Sequence, residues 1–384
     1  MSVNTESSQS KKRLEGLLNN LALRWYLFKR KYSTFSGLKQ LLLRIVMYLL
    51  VIGLAFVFVY PFLYMIVNSL MSNSDLNSSS VNWIPTELKF ENFSVALDLI
   101  NGKKTAEKTF EKFLTETLEA DPDASMFKVR IDYVIRAIRI WFTDRKYIVN
   151  STFVTVLATF GHVITCSFVG YGFARYNFPF KKLLFGLVIL AFIVPTQTLI
   201  IPSYLTYSNI KWFGGNWINT YYPLIVPTFF GFGLRGALYI FLFRQFYLTV
   251  PKSLEEAARI DGCGFMKTYW KIVFPLAKAT LVVAIVLSVV WHWNDSYETG
   301  IYVQTPSKQF LPPRIKSIIS AANALPDQQQ EMVRQLGLED GEDTLNNAVV
   351  MAGATVISAP VLLFFAFAQS QFMQGIERSG ITGE

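Results

Sequence analysis

Between two apolar runs the sequence reads PKSLEEAARIDGCGFMKTYWKIVFP, from Pro251 to Pro275, and here residue types and spacing converge on one chemistry, that of recognition. Pro251 disfavours helix at Val250 and so ends the preceding run. Ser253 is then offered as an N-cap, and Glu256, three residues on, completes a capping box. Glu255 and Glu256 suit the positive end of the new helix dipole, and Glu255 is predicted to pair with Arg259 one turn later. Ala257 and Ala258 leave a shallow surface beside Leu254. After Asp261, Gly262 and Gly264 break the helix and permit a sharp turn. Beyond it Phe265, Tyr269 and Ile272 form an apolar stripe opposite Lys267 and Lys271, and Pro275 suits the first turn of the next helix. Ser253 to Asp261 is shorter than the roughly 12 to 15 residues an isolated helix needs in water, so it must lean on something. A small-residue helix held out by a glycine turn suits a groove in a partner protein.

Other candidates carry less. The chain has no GxxxxGK[ST], no nucleophile elbow, no HExxH and no paired catalytic carboxylates, so it is not read as an enzyme and any work it does draws on energy from elsewhere. GFGLRG, Gly231 to Gly236, fits GxGxxG only formally, because it lies inside an apolar run where small residues let another helix approach. Arg235 in the middle of that run is costly. It lines a translocation path or braces an outer gate, or else makes a structural hydrogen bond to neighbouring carbonyls. His162 and His292 each sit in apolar sequence without a second ligand at helical spacing and read as satisfied interior histidines. Trp291 and Trp293 read as interface anchors or as lining of an aromatic cavity. Cys166 and Cys263 have no CxxC spacing, and LEDGED at 338–343 lacks the ligand spacing of a calcium loop, so neither disulfide nor metal chemistry is supported.

The elements that must position these residues are membrane helices. The 384 residues are 52% hydrophobic and only 16% charged, with mean hydropathy +0.33. Apolar runs of about 18 residues or more span a bilayer core, and candidates fall at 41–70, 149–174, 183–206, 221–246, 276–296 and 348–371, about six spans in an all-α polytopic fold. Lys11, Lys12, Arg13, Arg24, Lys29, Arg30, Lys31, Lys39 and Arg44 crowd the segment before the first run, which puts the N-terminus in the cytoplasm. Counting from there places Arg175, Lys181 and Lys182 inside, then Arg244, Lys252, Arg259, Lys267, Lys271 and Lys278, and finally Arg378. The basic stretch abuts a span and reads as a collar on membrane lipid rather than as a nucleic-acid site. The N-terminal block is too polar, and the run after it too long, for a removable signal peptide.

The resulting organisation is a basic cytoplasmic segment at 1–40, a first span at 41–71, an extracytoplasmic insertion at 72–147, core helices at 148–298 carrying the cytoplasmic loop 248–275, an outer loop at 299–347, and a last span with cytoplasmic tail at 348–384. Tyr60-Pro61 predicts a kink in the first span. Phe127, Ile131, Val134, Ile135, Ile138 and Trp141 recur at helical spacing, so the insertion is predicted to be helical, as a cap on the membrane domain or a docking surface for an outside partner.

EEAARIDGCGFMKTYWKIVFP resembles the EAA motif of the permeases of binding-protein-dependent ABC importers. Glu256, Ala257, Ala258, Gly262, Ile272 and Pro275 fall at the matching positions, with Phe274 in place of the usual leucine. The resemblance is to the carbohydrate branch, the maltose-type second permease subunit. YPFLYMIVNSL, WIPTELKFENFSVAL, YIVNSTFVTV, GYGFARYNFPFKK, IFLFRQFYLTVPKSLEEAARIDG and QSQFMQGIERSGITGE are similar to successive parts of it. It covers most of the chain from about residue 50 onward, but little of 97–143 or 322–346. It implies a type I ABC importer permease fold in the cytoplasmic membrane of a prokaryote. The partners it implies are a sister permease subunit, a cytoplasmic ATPase dimer that binds ATP and magnesium, an extracytoplasmic solute-binding protein, and a sugar, most readily an oligosaccharide. Ser253, Glu255, Glu256, Ala257, Ala258, Asp261, Gly262, Ile272 and Pro275 would form the ATPase-coupling loop, and this chain would hold no cofactor. The rival readings are a membrane scaffold or sensor that holds an ATPase without moving solute, and a secondary transporter, for which the spans lack acidic residues.

Overall fold

The computed structural model of the chain describes residues 31, 35–78, 83–101, 129–133, 135, 146–211, 215–324, 328, 329, 332 and 346–381. The described residues form helices and connecting turns, with no strand among them. The chain divides into two units, residues 1–64 and 65–384, and the first helix, α1 (Phe35–Ser69), runs from one into the other. It continues through Pro61.

In the second unit the helices that matter are α2 (Glu91–Asn101), α3 (Lys146–Arg175), α4 (Lys181–Ile193), α5 (Thr196–Asn209), α6 (Gly236–Thr249), α7 (Lys252–Ile260), α8 (Lys278–Asn294), α9 (Tyr297–Tyr302), α10 (Ile315–Ala322) and α11 (Asn347–Ile381). Three helices are each long and apolar enough to cross a membrane: α1 over Leu38–Ser69, α3, and α11 over Asn347–Met373. Two further pairs qualify only together, α4 with α5, bent by 102°, and Phe265–Leu276 with α8, bent by 77°. The first bend falls at Pro195, whose missing N–H and fixed φ separate the two helices. The second follows a π turn, Tyr269–Val273, and Pro275. Its missing N–H leaves a carbonyl in the preceding turn without its usual donor, so the expected span over 276–296 begins only at Lys278.

The span expected over 221–246 is not one helix. Tyr222–Ile225 and a 3₁₀ turn at Val226–Phe230 lead into Gly231, Gly233 and Arg235, all with positive φ, before α6 starts at Gly236. Hydropathy counts apolar side chains and is blind to three left-handed residues in five, which no α-helix can contain.

Three apolar clusters hold the second unit together. Val95, Ala96, Leu97 and Ile100 of α2 pack with Ile318 of α10 and Val349 and Ala352 of α11. Tyr171 of α3 packs with Tyr239, Phe243 and Tyr247 of α6 and with Tyr269 and Val273. Val154, Ile200, Leu224, Tyr302 and Phe310 form the third. At the α3–α6 crossing a Cβ on Gly170 would stand 2.9 Å from Arg244 N and 3.1 Å from Ile240 O, so only glycine lets the two backbones approach this closely. Of the residues expected to form an amphipathic helix at 127–141, only Ile131 and Ile135 are described, and Val129–Tyr133 is helical. There Val129 and Tyr133 are buried, and Arg130 donates to Leu88 O at 2.9 Å. LEDGED lies outside the described residues.

Candidate functional site

The Pro251–Pro275 loop folds as a nine-residue helix, a glycine turn and a second, distorted helical segment. α7 starts at Lys252, one residue earlier than expected, with Pro251 in the cap position and no side-chain cap bond. This corrects the capping-box reading. Ser253 already sits inside the first turn, where its hydroxyl has no free N–H to accept from in cap geometry, and Glu256 is exposed. The end is as the glycine implies. Asp261 is the C-cap, Gly262 has φ +76°, its N–H donates to Arg259 O at 3.0 Å, and the Cys263 N–H donates to Ala258 O at 2.9 Å. Those two bonds are the Schellman pattern, which requires a left-handed residue at Gly262.

Only Glu255 and Ala258 of α7 are buried. Lys252, Ser253, Leu254, Glu256, Ala257, Arg259 and Ile260 are exposed, Ile260 at 87%. The predicted Glu255–Arg259 pair is also corrected. Glu255 turns inward and its Oε1 lies 2.6 Å from Nε of Arg175, the last residue of α3. An inward carboxylate cannot also reach Arg259, which stays exposed on the same helix. Glu256, Ala257 and Asp261 are left facing out, and Ile272 and Pro275 lie in the distorted segment beyond, where Tyr269 is fully buried and Lys267 and Lys271 are exposed.

Arg235 stands apart from this loop. It is the residue before α6, its guanidinium lies 4.4 Å over the Trp291 ring, and its Nε is buried without a hydrogen-bond partner among the described residues. It also lines a cavity of about 310 Å³ together with Leu187, Ser203, Tyr207, Glu298 and Tyr302. The Glu298 carboxyl is raised from 4.5 to about 7, by burial first and by the neighbouring Asp295 second. Trp293 is no interface anchor. It is buried, and its indole N–H donates to Ile357 O at 3.2 Å, across to α11.

The two histidines, each read as a satisfied interior histidine, satisfy one another. His292 Nε2 lies 3.2 Å from His162 Nδ1, and His162 Nε2 lies 3.3 Å from Phe232 O. They come from α8 and α3, 130 residues apart, and no local spacing could have paired them. The same holds for Arg175, whose role the sequence reading missed. The one available signal was that an arginine closing a membrane-length run, beside a loop YNFPFKK that holds no acid, must find its partner elsewhere in the fold.

Comparison with known proteins gives the family of the chain. Residues 166–378 match the family described as binding-protein-dependent transport system inner membrane component. The chain is 31% identical over 175 residues to the sn-glycerol-3-phosphate transport system permease protein UgpE of Yersinia enterocolitica, covering 46% of this chain and 59% of that one. It is 26% identical over 238 residues to the polygalacturonan/rhamnogalacturonan transport system permease protein YtcP of Bacillus subtilis, covering 62% and 77%. The chain spans 57–59% of the length of the curated relatives it matches above 30% identity. Among solved structures, a bacterial ABC transporter involved in the import of the acidic polysaccharide alginate superposes with a TM-score of 0.59 at 18% identity, over 87% of this chain and 98% of that one. At that identity the likeness is one of fold.

Proposed function

Because the chain belongs to the binding-protein-dependent transport system inner membrane component family, we propose that it is the transmembrane permease subunit of an ATP-binding-cassette importer, forming half of the path for a sugar, most readily an oligosaccharide. The single observation that carries this reading is α7. It is a nine-residue helix that buries two side chains and exposes the rest, Leu254 and Ile260 included, at the centre of the family match. A helix so short is fastened to the body on one side and offers the other to a groove. On this reading Ser253, Glu256, Ala257 and Asp261 face a separate cytoplasmic ATPase. Gly262 sets the turn that holds them out, and Ile272 and Pro275 pass motion into α8. ATP and magnesium belong to that ATPase. A sister permease subunit and an extracytoplasmic solute-binding protein complete the assembly, with both termini of this chain cytoplasmic.

Nucleotide-driven closure of the ATPase pair would draw on α7 and swing the spans between inward and outward access as rigid bodies. Arg235 is proposed to line the path, through the cavity it shares with Glu298, Tyr207 and Tyr302. A sugar is favoured by the relative named for polygalacturonan and rhamnogalacturonan transport, whereas the sn-glycerol-3-phosphate of the other makes the solute an experimental question.

The test is reconstitution of the chain with its ATPase, sister subunit and binding protein in proteoliposomes, with labelled oligosaccharide outside and ATP within. Accumulation that stops when ATP is withheld supports the reading. ATP hydrolysis stimulated by the chain with no accumulation of any offered sugar would replace it with the scaffold or sensor.

A further inference from the structure

α7 has little to hold it. Of its two buried side chains, Ala258 presents a methyl group, which resists neither sliding nor rotation, and Glu255 is the other. Glu255 is met by two polar groups from one helix: the Arg175 guanidinium, with Nε 2.6 Å from Oε1, and the Tyr171 hydroxyl, which donates to Oε2 at 3.0 Å. The side chains of Arg175 and Glu255 are 5% and 8% exposed. A terminal nitrogen of Arg175 donates in addition to Val250 O, in the residue that joins α6 to α7. One guanidinium therefore grips both the start of the loop and the helix that follows.

Behind this grip the contacts are rigid. The Tyr171 ring stacks on Phe265, just after the glycine turn, and meets Tyr269 at 5.1 Å. Ser167, one turn back on α3, receives the Tyr269 hydroxyl at 2.9 Å and lies 2.6 Å from that of Tyr247. At Nε and Oε1 the Arg175–Glu255 contact is an ion pair without hydrogen-bond alignment, so direction comes from the bonds beside it, Tyr171 to Oε2 and Arg175 to Val250 O. A buried pair of charges is little screened by salt.

We propose that Arg175 and Glu255 are positioning residues, a clamp that fixes α7 at the end of α3 so that the docking helix and the first core helix move as one body. The inference rests on the transport reading for its use, but its geometry can be tested without transport. Nitroxide labels at Lys252→Cys on α7 and Lys182→Cys on α4, both exposed positions, are introduced into the full chain in lipid nanodiscs with Cys263→Ser. The parent gives one narrow distance distribution by pulsed electron resonance. Arg175→Gln and Glu255→Gln broaden it, and Arg175→Lys, which keeps the charge, narrows it again in part.

The doubly apolar Arg175→Met with Glu255→Leu leaves no lone charge buried and so serves where a single variant fails to fold. It too broadens the distribution. A distribution as narrow as the parent's in that double variant overturns the proposal. In the reconstituted transporter the clamp variants lower solute imported per ATP hydrolysed by about tenfold while hydrolysis persists, and an unchanged ratio also overturns it. If the parent imports nothing, the transport reading fails, and the distance distributions still decide the clamp.

Discussion

Glu255 Oε1 and Arg175 Nε lie 2.6 Å apart between α7 and the end of α3, both side chains almost wholly buried, while the adjacent Glu256 faces out. Two neighbouring glutamates are thereby given different physics. Removing one partner of a buried pair leaves the other charge without compensation, at a cost of about 3–5 kcal/mol, whereas replacing both by apolar side chains of similar volume is often neutral. Glu255→Leu is expected to lower the thermal unfolding midpoint of the purified chain sharply. Arg175→Met added to it should restore most of the loss, and Glu256→Gln should change stability by less than about 0.5 kcal/mol. Equal losses from the two glutamates would mean that Glu255 is not inward.

Gly262 and Glu256 are expected to matter for uptake rather than for folding. Apart from its chain neighbours, no atom lies within 4 Å of a Cβ built on Gly262, so the site has open space for the first atom of a side chain. The cost of Gly262→Val is the left-handed φ of +76°, about 1–2 kcal/mol for a residue with a Cβ. Gly262→Val and Glu256→Lys should therefore reach the membrane in normal amount and abolish uptake in the reconstituted transporter. Normal ATP-dependent uptake in both would remove the loop from the coupling role.

Glu298 predicts a pH dependence. Its carboxyl is raised from 4.5 to about 7, chiefly by burial and then by Asp295. A carboxyl whose folded value lies above its unfolded one is held better when protonated. Its ionisation penalty is absent below pH 4.5 and complete above pH about 7, so stability falls as pH rises through that window. The fall is on the order of 1–3 kcal/mol. Glu298→Gln should flatten the profile and raise the unfolding temperature at pH 8, read by thermal unfolding in detergent across pH 4 to 8.5. A profile with the same slope in the variant would place the titration elsewhere.

Much of this architecture is legible in the sequence, and the failures share a cause. Five of the six apolar runs coincide with single or bent helices, because burying a backbone in lipid forces helix over a membrane-length run. The sixth broke at Gly231, Gly233 and Arg235, where conformation rather than hydropathy decides. In the loop, Gly262 was read correctly because positive φ is a local demand that glycine meets. Ser253 was misread because Pro251 takes the cap position and the helix starts at Lys252, and Glu255 because i,i+4 pairing is a local rule while the competing partner, Arg175, is 80 residues away in sequence and close only in the fold. Trp293 went the same way, whereas the histidines are satisfied in the interior as expected and only their pairing was out of reach. Each is settled by a partner on another helix.

Arg235 tests whether the cavity beside α6 is used. Its backbone has φ 63°, a strained value for any residue with a Cβ, so Arg235→Gly removes the guanidinium while relaxing the turn. It should leave thermal stability equal to or above the parent's, apart from the loss of the Trp291 contact, about 0.5–2 kcal/mol. Uptake should fall by about tenfold or more if the arginine faces the path. Uptake unchanged in Arg235→Gly and Arg235→Gln alike would reduce the residue to a structural stack on Trp291.

The histidine pair makes a last, purely structural prediction. Phe232 O can only accept, so His162 Nε2 must carry the proton of their 3.3 Å contact. In the neutral imidazole, His162 Nδ1 is then an acceptor, and the proton between the rings belongs to His292 Nε2. The order of donors runs one way, from α8 to α3 to the turn before α6, which ties three segments that apolar packing alone would let slip. His292→Leu removes the donor and leaves His162 Nδ1 buried with an unmet acceptor, a loss of about 1–3 kcal/mol. His292→Asn, which can still present an N–H, should recover part of it. His162→Leu breaks both bonds and should cost at least as much as His292→Leu. The reading is settled by the order of unfolding temperatures, and it fails if His162→Leu is the milder of the two leucine changes.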